Sequence, residues 1–148
     1  MAGLIHDVGR LALLAVFPDY ERFGLLADPR KEDPLASERR LFGWNHAEAG
    51  RWLLAQWGFP LEMQNVAAYH EDPSTAPNCD RAMIALAHAG SHIADLIGIS
   101  AYPSMRGSQL PEIAINLSEI TGEGLSVDLA EIMEWVVTRV NGVELSLS

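Results

Sequence analysis

The chain has 148 residues, 49% of them apolar, a mean hydropathy of +0.07 and a net charge of −10 from 20 acidic and 10 basic side chains. That size and apolar content suit one domain with a real core and exclude a disordered chain. One lysine, Lys31, and nine scattered arginines are too few and too dispersed to neutralise a phosphate backbone, so nucleic acid is excluded as the main partner. The single cysteine, Cys79, excludes an intrachain disulfide framework. No apolar run reaches the ~18 residues of a membrane span, and no signal-peptide pattern opens the chain, so the cytoplasm is the expected location, with no membrane partner.

In chain order, residues 3–16 read as one apolar helix that Pro18 ends. Asp19 can cap a second helix through about Ala27, which Asp28-Pro29 breaks. Asp33-Pro34 is a cap followed by proline at the first helical position. It opens a short helix over Leu35 to Phe42, with Gly43 behind it. Asn45 and Glu48 form a capping-box-like pair for a fourth helix, which stops near Trp57-Gly58. Its pattern turns Trp52 and Trp57 inward. Pro60 opens a fifth helix to about His70, and residues 72–80 form the clearest loop. A sixth helix is expected from about Asp80 to Ile97, with two more around 110–120 and 127–140. No strand pattern exceeds three or four residues, so the expected fold class is all-α, an irregular multi-helix bundle.

Five histidines need partners: His6, His46, His70, His88 and His92. A single histidine in an apolar helix is ordinarily a hydrogen-bonded core residue. Here His6-Asp7, His46 and His70-Glu71 come from separate helices, as a cavity between bundle helices requires. Imidazole with carboxylate suits Mn, Fe, Ni or Zn, whereas the absent cysteine set excludes a small structural zinc site. His88 and His92 lie four apart on one helix face, with Asp95 following; they are either two further ligands or a polar stripe.

Four blocks carry a family resemblance. They are Gly3-Leu4-Ile5-His6-Asp7-Val8-Gly9-Arg10, Phe42-Gly43-Trp44-Asn45-His46-Ala47-Glu48-Ala49-Gly50, Trp57-Gly58-Phe59-Pro60 and Tyr69-His70-Glu71-Asp72-Pro73. In this order they resemble the HDOD domain, a relative of the bacterial HD and HD-GYP metal-dependent phosphohydrolases. The likeness covers about residues 3–98 and implies an HDOD-like helical core over residues 1–98, with residues 99–148 as a helical extension packed on it. The resemblance implies an HD-type bundle. It also implies a metal-ligand set of His6, Asp7, His46, His70 and, at a place where the family has an aspartate, His88. Arg10 stands where the family has lysine. Tyr69 stands where the enzymes have a histidine ligand. Their first ligand lies upstream of the His-Asp pair, where this chain has only a few residues, so it reads as the C-terminal portion of such a domain. An apolar face lacking its partner helix could close by dimerising.

The resemblance therefore implies a regulatory module of bacterial signal transduction, non-catalytic, with signalling proteins as partners and a vestigial divalent metal site. The alternative is a metal-dependent phosphohydrolase acting on a nucleotide or cyclic dinucleotide. Asp7 and Arg10 would then be catalytic, with Arg10 neutralising a phosphate oxygen.

Overall fold

The computed structural model describes residues 1–22, 33–77, 80–96 and 134–139. Its helices are α1 (Ala2–Ile5), α2 (Val8–Val16), α3 (Pro34–Phe42), α4 (His46–Gln56), α5 (Leu61–Tyr69) and α6 (Arg81–Leu96). Short 3-10 turns run over Pro18–Arg22 and Pro73–Thr75. Residues 134–139 are helical, within the span expected for the last helix. No strand occurs among the described residues, and the architecture is the expected all-α bundle.

The locally encoded helix ends form as their chemistry dictates. The Asp33 carboxylate accepts from the Ala36 amide at 3.3 Å, Pro34 follows it, and Gly43 closes α3 at φ +79°, a conformation that favours glycine. Asn45 and Glu48 complete the capping box of α4. The Asn45 side chain accepts from the Glu48 amide at 2.8 Å, and the Glu48 carboxylate accepts from the Asn45 amide at 3.2 Å. Glu48 also pairs with Arg39 of α3.

Three expectations are corrected. The first helix is not continuous: it breaks at His6-Asp7, and Asp7 (φ −98°, ψ 12°) starts α2. Apolar periodicity runs through this point, but the Asp7 carboxylate is drawn into ion pairs and makes no side-chain cap. The second helix is a 3-10 turn over Pro18–Arg22; the remainder of its expected span lies outside the described residues. Trp52 and Trp57 are not core residues, at 55% and 60% exposure. The inward face of α4 consists of His46, Ala47, Ala49, Gly50 and Leu54. Its small side chains let α2 approach closely, leaving no room for an indole there. The expected helix over 110–120 lies outside the described residues, as does Gly98, the expected end of the sixth helix.

That close approach positions the site. α2 packs on α4, α4 on α5, and both α1 and α5 on α6. A methyl group on Gly9 would overlap the carbonyl oxygen of His46 and stand 2.5 Å from the Gly50 nitrogen, so the two helices cross backbone to backbone. Two apolar clusters flank the crossing. Leu13, Tyr20 and Ala49 form one, with Phe17 and Phe42 packed against it. Val66, Ala76, Ile84 and Ala87 form the other, with Ala2, Tyr69 and Met83 against it. His6, Asp7, His46 and His70 lie between them, at the ends of α1, α2, α4 and α5.

Candidate functional site: a buried histidine–carboxylate centre

Each histidine of the centre is fixed through Nδ1. His6 Nδ1 lies 2.8 Å from the Gly3 carbonyl oxygen and His70 Nδ1 3.0 Å from that of Ala67. A carbonyl only accepts, so both nitrogens must carry the proton. His46 Nδ1 lies 2.7 Å from Glu38 Oε2, which also accepts the His46 amide at 2.7 Å. In all three rings Nε2 is then the nitrogen left to face the centre.

Those nitrogens meet two carboxylates. Asp7 Oδ1 lies 3.2 Å from His70 Nε2 and 3.7 Å from His46 Nε2; Asp7 Oδ2 lies 3.6 Å from His6 Nε2. Glu71 Oε1 lies 3.3 Å from His46 Nε2 and 3.8 Å from His70 Nε2. The His6 and His70 rings meet edge to face at a centroid distance of 4.9 Å. Two groups of three donor atoms result, His6–Asp7–His70 and His46–His70–Glu71, each within 4.8 Å and sharing His70. Lone pairs of imidazole facing carboxylate oxygens need a positive charge between them, a proton or a cation. The donor set therefore fits a divalent transition metal, with the carbonyl and carboxylate partners of Nδ1 supplying the orienting bonds such ligands use.

Arg10 supplies a fixed positive charge at the same place. Its Nε donates to Asp7 Oδ1 at 3.0 Å and its Nη2 to Glu71 Oε1 at 3.3 Å, while Nη1 lies 3.7 Å from Glu38 Oε1. The acidities follow. Burial disfavours the ionised form of Asp7, but the His70 hydrogen bond and the Arg10 charge outweigh it and hold this carboxyl well below the usual range. Glu71 is likewise opposed by burial and brought down to about 2 by His46, His70 and Arg10. Glu38 is lowered against its burial by its bonds to His46 and Tyr20. Burial and Arg10 both push His46 down; the bonds to Glu38 and Glu71 prevail and raise it. His6 is lowered, chiefly by burial.

His6, Asp7, Arg10, His46 and His70 are thus brought together. His88 reaches the centre by another route: its Nδ1–H donates to the His70 backbone carbonyl at 2.6 Å, and its ring packs on His92 at a centroid distance of 4.2 Å. It lies outside both groups of three donor atoms. Tyr69 packs into the second apolar cluster. Two participants are not identified by sequence reasoning. Glu38 is fully buried, and Tyr20 donates its hydroxyl to Glu38 Oε1 at 2.7 Å. A glutamate in Ser37-Glu38-Arg39-Arg40 carries the signature of a solvated helix face; only its place eight residues before His46 connects it to the motif.

The protein is thus an all-α bundle built round a buried histidine–carboxylate centre. The family model of the HDOD domain matches residues 1–73, so this part of the chain is similar to that family, as the four sequence blocks imply. The match lies in the N-terminal half, over a shorter stretch than the residues 3–98 of the resemblance. Comparison with curated proteins and with solved structures finds no match. No helix among the described residues is long and apolar enough to cross a membrane.

Proposed function

We propose that this chain is a regulatory HDOD-type module of bacterial signal transduction, non-catalytic, acting by docking signalling proteins on its helical faces. The observation that carries this reading is Arg10. Its guanidinium is shared among Asp7, Glu38 and Glu71, so the carboxylates a catalytic metal would use already have a cation. His46 and His70, at 0% and 2% exposure, are withdrawn from solvent, and Tyr69, at the position of the enzymes' further ligand, is half-buried against the second apolar cluster. The centre then serves to lock α1, α2, α4 and α5 together, and the net charge of −10 favours partners with basic surfaces.

A second reading has its own support, the convergence of three Nε2 atoms on Asp7 and Glu71. Here His6, Asp7, His46, His70 and Glu71 hold a divalent Mn, Fe, Ni or Zn ion and the module is a phosphohydrolase for a nucleotide or cyclic dinucleotide. A bound ion of this kind acidifies its water and supplies a nucleophile. Arg10 would neutralise a phosphate oxygen, and the exposed edge of Asp7 is the side from which a substrate could approach.

Elemental mass spectrometry on purified protein, followed by assay on bis-nitrophenyl phosphate with each ion added, separates the two. The regulatory reading expects no phosphodiesterase activity with any of the four ions. Turnover that disappears in Asp7→Ala establishes the enzyme instead.

A further inference from the structure

The contacts of α3 with the centre carry one inference about how the centre is set. Glu38 is wholly buried and each of its oxygens has a dedicated partner. Oε2 accepts both the backbone N–H and the ring Nδ1 of His46 at 2.7 Å, and Oε1 accepts the Tyr20 hydroxyl at 2.7 Å. Arg10 stands 3.7 Å from Oε1. Tyr20 is itself 1% exposed and held edge to face against Phe42 at 5.3 Å. A buried carboxylate fixed at both ends has no freedom to turn away from the ring it faces.

We propose that Glu38, braced by Tyr20, is a positioning residue that keeps a proton on His46 Nδ1 and thereby reserves Nε2, facing Asp7, Glu71 and His70, for an ion or a second proton. An isolated neutral imidazole exchanges its proton between two nitrogens, and only one arrangement presents a lone pair to the centre. His6 and His70 obtain the same arrangement from backbone carbonyls, which come with the helix end. His46 sits at the first position of α4, where no carbonyl of its own helix lies within reach, so a side chain from α3 must supply the acceptor. Glu38 thus has the part that carboxylates play behind ligating histidines generally. The inference deepens the reading of this cluster as the chain's functional centre, and it holds for an ion or a proton at Nε2.

Its test is nitrogen-15 spectroscopy of the histidine rings in the full chain without added metal, in the alkaline range where the His46 ring is neutral. The wild type is expected to keep the ring proton on Nδ1, with a downfield, slowly exchanging Nδ1–H resonance. Glu38→Met keeps the side-chain length but removes both acceptors. It is expected to lose that resonance and move the proton to Nε2 in most molecules. Glu38→Gln is expected to restore Nδ1–H, because its amide oxygen still accepts. Tyr20→Phe frees one end of Glu38 and is expected to speed exchange of the Nδ1–H by about tenfold or more, in line with the loss of one hydrogen bond of ~1.4 kcal/mol. A wild-type ring carrying its proton on Nε2 overturns the proposal, as does a folded Glu38→Met protein that retains Nδ1–H. If Glu38→Met does not fold, the wild-type spectrum and Tyr20→Phe still decide. Metal content and phosphodiesterase activity, which test the reading of the centre itself, do not enter this measurement, so the two can fail separately.

Discussion

The Nε2 atoms of His46 and His70 stand 3.4 Å apart, and both face the same oxygens of Asp7 and Glu71. Two imidazoles with their Nδ1 protons already committed cannot satisfy each other. Everything distinctive about this centre follows from the positive charge such an arrangement needs, which Arg10 supplies only in part.

Arg10 should therefore be the most costly polar residue to remove. Arg10→Met is expected to destabilise the fold by about 3–5 kcal/mol, the range for stranding buried charge. Urea denaturation should also show the gap from wild type narrowing toward pH 4, as the stranded carboxylates take up protons. A gap that stays constant with pH would mean the loss comes from packing instead. Arg10→Lys should recover only part of the loss, since an ammonium cannot span three carboxylates.

Acid should act on the same groups. Asp7, Glu38 and Glu71 have lowered folded-state values, Glu71 about 2 against an ordinary 4.5. The stability they contribute is fully present above the unfolded value and is lost as pH falls through the folded ones. His46 is raised, so its contribution is present below 6.5 and is lost as pH climbs through its folded value; the lowered His6 and His88 act in the opposite sense, weakening the fold as pH drops below 6.5. The histidines thus partly cancel, and the urea midpoint should fall steeply only below about pH 4.5. Glu38→Gln should make that acid limb shallower.

The helix crossing gives a packing prediction. Gly9→Ala puts a methyl group onto the His46 carbonyl, a backbone atom that cannot rotate aside. Overpacking of this kind costs about 3 kcal/mol or more. Circular dichroism should show a lower melting temperature, and the His46 ring signals should shift because the start of α4 is displaced. Gly50→Ala meets the Ala67 methyl at 3.3 Å and should cost less.

Trp44, Trp52, Trp57 and Trp135 are all exposed, from 48% to 60%. Fluorescence should be that of solvated indole and readily quenched by acrylamide, and Trp52→Ala should change stability by no more than about 0.5 kcal/mol. A blue-shifted, protected spectrum at micromolar concentration that reddens on dilution would instead reveal a dimer covering these rings.

The legible parts of this molecule are those encoded within a few residues. Asp33-Pro34, Gly43 and the Asn45–Glu48 box each work through a side chain reaching its own backbone, and α3 and α4 begin and end where they say. The histidines and Asp7 were visible as polar groups in apolar surroundings. The break at His6-Asp7 was not, because it depends on ion pairs to Arg10 and His70, and the latter lies 63 residues on. Glu38 and Tyr20 were hidden for a related reason. Each has the composition of its surroundings, a charged helix face and an aromatic segment, and only the folded chain sets one against the other. Trp52 and Trp57 misled because large aromatic area ordinarily goes inward, whereas this crossing selects for small residues.

The bond from His88 to the His70 carbonyl has a practical consequence for anyone dissecting this chain. The family match stops at residue 73, yet His70 is held from α6, and Val66 is enclosed by Ala76, Ile84 and Ala87. A fragment trimmed to the matched stretch would expose that hydrophobic seam and release the carbonyl beside a key histidine. The stretch that matches the family and the stretch that encloses its own apolar seam thus end at different residues, and a fragment ending at residue 73 is expected to melt lower than one that runs through Leu96.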